Sequence, residues 1–368
     1  MVDILDLMKN DYTLPKKYSE MTIEQMEERI HEIKNKLGKR LFIPAHHYQK
    51  DEVVQFADAT GDSLQLAQLS QQNKQAEFIV FCGVHFMAET ADILTDKDQH
   101  VLLPDLRAGC SLADMANIYQ TERAWDIMQE KFGDTIIPLT YVNSTAEIKA
   151  FVGKNGGATV TSSNAERMIQ WALRQKERIL FLPDQHLGRN VSYDLGIPLE
   201  NMAVWDPILN EFDYDGDLED AKIILWKGHC SVHENFTIDN VNQVRKNNPD
   251  MKIIVHPECP YETVKASDLS GSTSYIIRTI EQAQAGSKWA IGTEMNLVNR
   301  LKQTHKDKEI ISLNPYLCSC MTMNRITLPY LLWSLESIET KEYIHTISIE
   351  PEIAEASRLA LNRMLERA

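Results

Sequence analysis

The chain has 368 residues and a formal net charge of −15, with 38 Lys and Arg against 53 Asp and Glu. This acidity argues against a nucleic-acid-binding surface, which needs clustered basic side chains to neutralise phosphates. No apolar run approaches the roughly 20 residues of a membrane-spanning helix, and the first residues carry acids where a secretion signal is basic. We therefore expect a cytoplasmic protein of two or three domains that binds neither nucleic acid nor membrane.

The predicted elements follow an α/β order. A helix begins after Thr22, which forms a capping-box pattern with Gln25, and ends near Gly38, with an apolar face of Met26, Ile30, Ile33 and Leu37. Short apolar runs that read as buried strands then alternate with helical segments such as 165–176 and 298–305, which is typical of parallel α/β proteins. The strand candidates are AEFIVFCG, DTIIPLTYV, RILFLPD, KIILWKG, MKIIVHPE and KWAIGTE.

Two regions outside this alternation carry their own expectations. The segment from about 188 to 219 is predicted to be a loop-rich insertion. Pro351 is a favourable first-turn residue, so the chain should end in a helix at about 352–367. The glycine-rich stretch 153–157 and the region after Gly188 are candidates for a loop that closes over a site.

Two kinds of unit each recur three times. In the first kind, a strand ends in a polar residue, and a hydroxyl follows at the next helix start. The two residues are 17, 21 and 17 positions apart in the three copies, which are His46 and Ser63, Tyr141 and Ser162, and His256 and Thr273. In the second kind a cysteine closely follows a strand, and the three cysteines are Cys110, Cys230 and Cys320 (or its neighbour Cys318).

This triplication predicts an α/β fold of three pseudo-threefold-related α/β/α sandwich domains with short parallel sheets around a central active site. We expect domains at about 41–135, 136–250 and 251–345, after an N-terminal helical extension (1–40) and before a C-terminal helix (346–368). Ligands of open parallel sheets bind beyond the carboxyl ends of the strands. Three such ends on one axis would bring the cysteines and the polar loops together.

Three converging thiols point to metal chemistry. Thiolates select zinc, cuprous copper or iron–sulfur clusters, and ligands that lie 120 and 90 residues apart are unlike the local knuckles of structural zinc sites. An electron-carrying [4Fe–4S] cluster normally has four cysteines, so three would leave one iron open as a Lewis acid. On this pattern a catalytic cluster, a structural zinc and simple burial of the thiols all remain open.

The polar loops supply acids, bases and hydroxyls. His46 and Tyr48 follow one strand, and Tyr141 and Asn143 follow another; these side chains can exchange protons or cap a helix. His256 and Glu258 are two positions apart, which in an extended backbone points both to one face. Hydroxyls at helix starts hold carboxylates and phosphates, although ordinary caps use the same residues; the candidates are Ser63, Ser162 and Thr273.

With these residues in place, the sequence from about Leu41 to Trp333 resembles the quinolinate synthase family. The resemblance rests on dispersed motifs in order, namely PAHHYQ, GDSLQLA, CGVHFMAETA, RAGCSLADM, YVNS, SSNA, LPDQHLG, GHCSVHE, HPEC, GSTS and GTEMNLV. It implies an oxygen-sensitive iron–sulfur enzyme of de novo NAD biosynthesis. Such enzymes condense iminosuccinate with dihydroxyacetone phosphate to give quinolinate, phosphate and two waters.

The resemblance also implies roles for individual residues. Cys110, Cys230 and Cys320 would ligate a [4Fe–4S] cluster whose open iron promotes dehydration. The residues implied to bind substrate are His46, Ser63, Tyr141, Asn143, Ser162, His256, Glu258 and Thr273. The residues implied to be catalytic are Tyr48, Glu258, His256 and Tyr141, with proton transfer assigned to Tyr48 and Glu258.

One feature departs from the family pattern. Many relatives have C-x-x-C-x-x-C at the third cysteine, whereas this chain has C-S-C, so Cys318 competes with Cys320 as the ligand. Cys82 and Cys259 are expected to be buried bystanders. Two other functions stay open: a cluster-dependent hydro-lyase of a small hydroxy acid, and a non-catalytic protein stapled by a structural metal. Hand-over of iminosuccinate from an aspartate-oxidising enzyme is a further expectation.

Overall fold

The computed structural model of the protein describes residues 13–316 and 319–367. The described residues form fifteen α-helices and sixteen short strands, with 3₁₀ turns between them. The helices are α1 (Lys16–Glu20), α2 (Ile23–Leu37), α3 (Asp51–Val54), α4 (Ser63–Gln72), α5 (His85–Leu94), α6 (Ile118–Phe132), α7 (Ala146–Lys154), α8 (Ala165–Gln175), α9 (Gln185–Asp194), α10 (Ile238–Asn247), α11 (Tyr261–Ala266), α12 (Thr273–Gln282), α13 (Met295–Thr304), α14 (Leu328–Thr340) and α15 (Pro351–Leu365).

The strands contain two to six residues each, and most are buried. They are β1 (Leu41–Phe42), β2 (Pro44–His46), β3 (Ala59–Gly61), β4 (Phe78–Val80), β5 (His100–Leu102), β6 (Ile136–Tyr141), β7 (Ala158–Val160), β8 (Arg178–Leu182), β9 (Met202–Asp206), β10 (Glu211–Asp213), β11 (Ile223–Trp226), β12 (Lys252–Val255), β13 (Leu269–Ser270), β14 (Lys288–Gly292), β15 (Glu309–Ser312) and β16 (Thr346–Ile347). None of the helices in the described part of the chain combines the length and apolar character needed to cross a bilayer.

Three sheets repeat one strand order. The second sheet runs β7-β6-β8-β11 and the third runs β13-β12-β14-β15, with parallel pairing throughout these four strands. In the first sheet β3 pairs with β2, and β4 pairs with β5. Ala45 of β2 forms a parallel bridge with Cys82, just beyond β4. The first sheet therefore repeats the order as β3-β2-β4-β5, and the prediction of a threefold-repeated α/β fold with short parallel sheets is confirmed.

Two of the sheets carry additional strands. In the second sheet, β9 adds parallel to β11, and β10 adds antiparallel to β9. The segment 188–219, expected to be a loop-rich insertion, contains these two strands and the end of α9. It is an insertion relative to the repeated strand order, but the prediction that it is loop-rich is wrong. In the first sheet, β16 pairs antiparallel with β5. Because the chain returns to the first sheet near its end, the domain boundaries drawn from the sequence stay a prediction.

The helix predicted at the N-terminal side is confirmed in detail. Thr22 and Gln25 form both hydrogen bonds of the capping box, and α2 ends at Gly38, whose φ is 53°. A residue with a side chain rarely adopts this φ, which explains the glycine. The predicted apolar face is buried, namely Met26, Ile30, Ile33 and Leu37.

The last helix, α15, covers the second sheet by packing on α7 and β7. The approach is close, because a Cβ added to Gly153 would lie 2.0 Å from the carbonyl oxygen of Ala356. A Cβ on Gly157 would lie 1.8 Å from the carbonyl oxygen of Pro138. The glycine-rich stretch 153–157 is therefore a packing element and not the closing loop that its composition suggested.

Candidate active site

A cavity of about 690 Å³, counting the space open to solvent, lies where the carboxyl ends of the three sheets meet. All twelve residues proposed from the sequence line it: His46, Tyr48, Ser63, Cys110, Tyr141, Asn143, Ser162, Cys230, His256, Glu258, Thr273 and Cys320. Residues more than 270 positions apart in the chain thus share one site.

The three cysteines lie in three copies of one turn. In each copy the cysteine carbonyl accepts a hydrogen bond from the amide four residues later, at 3.1 Å for Cys110 and 3.0 Å for Cys230 and Cys320. A 3₁₀ helix begins three residues after each cysteine, and these helices are Ala113–Met115, His233–Asn235 and Met323–Arg325. The repeat read from the sequence is therefore a structural repeat.

Hydrogen bonds next to the cysteines connect the first turn to the second, and the third turn to the start of α13. The Oγ atoms of Ser111 and Ser231, each next to a cysteine, are 3.1 Å apart. The amide of Cys320 donates to Oε1 of Glu294 at 3.1 Å. Cys318 lies outside the described residues, so the choice of Cys320 as the third ligand stays a prediction.

The donor set fits a three-cysteine cluster. Burial raises the pKa of Cys110 to about 12 and that of Cys230 well above its ordinary value. Among the cavity-lining residues in the described part of the chain, none is Lys or Arg. Three thiolates here therefore need a bound cation to compensate their charge, and metal binding displaces thiol protons. Cys82 and Cys259 are also buried, but neither lines the cavity.

A second group of metal-binding residue types shares one of these cysteines. Donor atoms of Cys230, His233 and Glu258 all lie within 4.8 Å of one another. His233 Nδ1, however, is only 2.8 Å from Glu258 Oε2. Ligands of a tetrahedral zinc with bonds of 2.0–2.1 Å are about 3.3 Å apart, so this contact has the length of a hydrogen bond.

Glu258 is a buried carboxylate that lines the cavity. Its Oε1 accepts a hydrogen bond from the Tyr141 hydroxyl at 2.6 Å, and its Oε2 contacts His233 Nδ1. Burial alone would raise the pKa of Glu258, but His256, His233 and the Tyr141 hydroxyl lower it below its usual value. Both hydrogen bonds favour the ionised form of Glu258.

Two histidines present the same donor to the cavity. Nδ1 of His46 accepts the amide N–H of Tyr48 at 3.1 Å, and Nδ1 of His256 accepts the amide N–H of Glu258 at 3.4 Å. Burial lowers the pKa of both histidines to about 3, so both are neutral. A neutral imidazole that accepts at Nδ1 carries its proton on Nε2, which leaves an Nε2–H for a ligand.

Tyr48 joins the first and third sheets across the cavity. Its hydroxyl is 2.9 Å from Thr273 Oγ1 and 2.7 Å from Thr293 Oγ1. Burial raises the pKa of Tyr48 well above its ordinary value, and the hydrogen bonds with the two threonines only partly offset that effect. The phenol is therefore protonated at neutral pH and can donate a hydrogen bond.

The hydroxyls at the helix starts also converge. Ser63 and Thr273 are the first residues of α4 and α12, and Ser162 lies three residues before α8. Asp62, the N-cap of α4, joins all three copies, because its Oδ2 accepts from Ser163 at 3.0 Å and from Ser274 at 2.6 Å. Helix N-termini with hydroxyls bind carboxylates and phosphates, so this part of the cavity is suited to an anionic ligand.

One polar atom of the cavity supports ligand binding directly. Oδ1 of Asn143 is buried and has no hydrogen-bond partner among the described residues. Buried polar atoms are nearly always hydrogen-bonded, and Asn143 lines the cavity. A ligand that donates a hydrogen bond would satisfy it.

A sequence profile of the family described as "Quinolinate synthetase A protein" matches residues 28–366. The chain belongs to this family. The resemblance read from the dispersed motifs is thereby confirmed, and with it the assignment of the chain as an enzyme of the synthase class. The matched residues include all three sheets and the last helix, α15.

Three relatives illustrate the similarity. The quinolinate synthase of Anoxybacillus flavithermus is 66% identical over 367 residues, which is 100% of both chains. The quinolinate synthases of Bacillus cereus strain G9842 and Bacillus mycoides are each 69% identical over 354 residues, which is 96% of both chains.

Several residues of the site were missed from the sequence. Asp62, His233, Thr293 and Glu294 were not singled out, although three of them line the cavity and Thr293 bonds Tyr48. A signal for Glu294 existed, since it follows β14 as Asp184 follows β8, and both cap the next helix. His233 offered none, because the equivalent positions of the other two cysteine turns are Ala113 and Met323.

One assumption about the site was wrong in its geometry. His256 and Glu258 were placed on one face of an extended backbone. The structure has a turn there, in which the amide of Cys259 donates to the carbonyl of His256 at 3.0 Å. Both side chains still line the cavity, with His256 Nδ1 at 3.7 Å from Glu258 Oε1.

The two buried histidines predict a pH-dependent stability. An unfolded chain titrates histidine near pH 6.5, whereas the pKa of His46 and His256 in the folded chain is about 3. Below pH 6.5 the unfolded chain binds protons that the folded chain does not bind, so the free energy of unfolding decreases as the pH is lowered. The loss is about 1.4 kcal/mol per pH unit and histidine. Because histidine in the unfolded chain is half protonated at pH 6.5, we expect the free energy of unfolding by urea to fall by about 3 kcal/mol from pH 6.5 to pH 5.0 through these two groups.

A matched pair of variants separates this effect from other titrations. His46→Gln should remove the part of the loss that comes from His46, about 1.7 kcal/mol, whereas His31→Gln, at an exposed position of α2, should retain all of the loss. An unchanged pH dependence in His46→Gln would contradict the account.

Proposed function

We propose that the protein is a quinolinate synthase that condenses iminosuccinate with dihydroxyacetone phosphate, releasing phosphate and two waters. The observation that carries this proposal is the convergence of three thiols, a protonated phenol, an ionised carboxylate and three hydroxyl-bearing helix starts in one cavity. Both substrates are small anions, and one carries a phosphate. The family membership of the chain supports the same reaction.

Cys110, Cys230 and Cys320 are the residues that would hold the [4Fe–4S] cluster. When bound, such a cluster supplies a Lewis acid at its open iron, which assists the loss of water. Thiolates that bind metal must remain reduced, so the reducing cytoplasm is the compartment that we propose for this enzyme.

The polar side chains of the cavity would bind and orient the substrates. Nε2–H of His46 and His256 are donors for the iminosuccinate carboxylates, and Oδ1 of Asn143 is an acceptor for the imine N–H. The hydroxyls at the starts of α4, α8 and α12 hold the phosphate-bearing substrate; they are Ser63, Ser162 and Thr273. Holding both reactants in one cavity lowers the entropic part of the barrier to condensation.

Proton transfer is assigned to two groups with opposite protonation at neutral pH. Glu258 is ionised and accepts a proton at a carboxylate oxygen, while Tyr141 and His233 hold that carboxylate in place. Tyr48 is protonated and donates from its hydroxyl, which Thr273 and Thr293 orient. General acid–base catalysis requires a protonated group and an ionised group in the same site.

Product analysis tests the proposal. Anaerobically reconstituted protein supplied with iminosuccinate and dihydroxyacetone phosphate should form quinolinate and phosphate in equal amounts. Omitting dihydroxyacetone phosphate should abolish both products. Absence of quinolinate, or water loss from a hydroxy acid in its place, would favour the hydro-lyase alternative. An aspartate oxidase that generates iminosuccinate in the same mixture would show whether the unstable substrate can be handed over.

A further inference from the structure

Helices α9 and α13 begin in the same way in two of the repeated units. Each has an acidic N-cap, Asp184 or Glu294, whose carboxylate accepts the amides of the second and third helical residues. Each helix follows the third strand of its sheet order, β8 or β14. The two helices are therefore structurally equivalent, and positions counted from their caps can be compared.

The residue six positions after each cap reaches a neighbouring unit. Nδ2 of Asn190 donates to the carbonyls of Pro257 and Cys259, both at 2.9 Å. Arg300 donates from Nη1 to the carbonyl of His47 at 2.8 Å and from Nη2 to that of Gln49 at 2.6 Å. Each side chain thus holds the two peptide carbonyls that flank one residue.

The flanked residues are Glu258 and Tyr48, and the turns that carry them are alike. In both turns the first residue is a histidine whose carbonyl accepts the amide three residues later at 3.0 Å. In both, Nδ1 of that histidine accepts the amide of the flanked residue, at 3.4 Å for Glu258 and 3.1 Å for Tyr48. Asn296 of α13 also donates to the carbonyl of Tyr48 at 2.9 Å.

The direction of these contacts is cyclic. Helix α9 of the second unit holds the turn of the third, and α13 of the third unit holds the turn of the first. The first and second units are also in contact. Glu89 of α5 in the first unit accepts a hydrogen bond at 3.1 Å from the amide of Ala146, which lies just after the turn of the second unit that carries Tyr141 and Asn143. Each site turn is therefore held by a helix of a different unit.

We propose that Asn190 and Arg300 are positioning residues, which set the locations of Glu258 and Tyr48 by holding the peptides on either side of them. The proposal rests on the proton-transfer roles given to those two residues in the proposed function. Neither Asn190 nor Arg300 lines the cavity, so neither touches substrate.

The chemistry of the two side chains agrees with this role. Asn190 is 3% exposed and uses only its donor group, because its Oδ1 has no hydrogen-bond partner among the described residues. Arg300 binds two carbonyls with one planar guanidinium, which fixes their spacing. A displacement of about 1 Å at a reacting group can lower a rate about 100-fold, so losing these bonds should affect kcat strongly.

The experiment is a pair of double-mutant cycles on the anaerobically reconstituted full chain. Asn190→Leu is combined with Glu258→Gln, and Arg300→Gln is combined with Tyr48→Phe. Asn190→Leu and Arg300→Gln are the two clamp variants. We expect each of them alone to lower kcat for quinolinate formation by about 10- to 100-fold, with KM changed less than about 3-fold. In the background that lacks the positioned group, the same substitution should lower kcat by less than about 3-fold.

Matched controls come from the same regions. Ser192 of α9 is fully buried, and its hydroxyl has no partner in the described part of the chain, so Ser192→Ala should retain kcat. Asp51→Asn weakens the 2.6 Å ion pair of Arg300 Nε while leaving both carbonyl bonds, and should also retain kcat. The kcat of every variant is expressed per cluster, from its measured iron and sulfide content.

The outcomes separate the inference from the proposed function. If Tyr48→Phe and Glu258→Gln are inactive while both clamp variants keep full kcat, the positioning role is overturned and the proposed function stands. Equal losses from the clamp substitutions in both backgrounds would also overturn it, because a general structural effect is additive. Full activity of Tyr48→Phe and Glu258→Gln would overturn the roles and the inference together. If Asn190→Leu does not fold, Asn190→Ser replaces it in the first cycle. The second cycle is unaffected, because the Arg300 side chain is partly exposed.

Discussion

Replacing Cys110, Cys230 or Cys320 with serine is expected to abolish the cluster and quinolinate formation. All three residues occupy equivalent turns and line one cavity. Since one loop supplies only one of the three thiolates, no local set of ligands can hold the cluster after any one is lost. Iron and acid-labile sulfide, measured after anaerobic reconstitution, should fall from four each per chain, the content of a [4Fe–4S] cluster, to background.

The other cysteines are the controls for this prediction. Cys82→Ala and Cys259→Ala should keep the cluster, because both thiols are buried outside the cavity. Cys318→Ser should also keep it. If the cluster survives in Cys320→Ser but is lost in Cys318→Ser, the third ligand has been assigned wrongly.

Replacing Glu258 with glutamine is expected to lower kcat about 1,000-fold, within the usual effect of losing a general acid or base. The carboxylate is 3% exposed and bonded at both oxygens, to Tyr141 at 2.6 Å and to His233 at 2.8 Å. Glutamine preserves its shape but cannot accept a proton at neutral pH. Cluster content should be unchanged, so steady-state kinetics at equal iron content measures the loss.

A nearby carboxylate supplies the control. Glu262→Gln, on the exposed side of α11, should retain kcat. Tyr141→Phe removes one hydrogen bond to Glu258 and should produce a smaller loss than Glu258→Gln. A Glu258→Gln enzyme with kcat near that of the wild type would show that another group accepts the proton.

The parts of the fold that depend on local pattern could be predicted from the sequence. The capping box and apolar face of α2 are encoded within sixteen consecutive residues, and the structure matches them. The threefold repeat was visible because each unit places its polar residue and its cysteine at the same point after a strand. Strands β9 and β10 were missed because their short runs lie among acidic and turn-forming residues.

The contacts that assemble the site could not be predicted in this way. The bonds of Asp62 to Ser163 and Ser274, and of Asn190 to the peptides around Glu258, join different units. They depend on how the three sheets pack, which no local periodicity encodes. The turn at His256 shows the same limit, because the two-residue spacing was read as strand geometry while a turn brought both side chains into the cavity.

The central claim is that the three repeated turns together hold one iron–sulfur cluster. Anaerobic crystals of the reconstituted enzyme, measured at the iron and zinc absorption edges, test it directly. We expect strong iron anomalous density in contact with the Sγ atoms of Cys110, Cys230 and Cys320. A single zinc peak bound by Cys230, His233 and Glu258, with no iron, would contradict it.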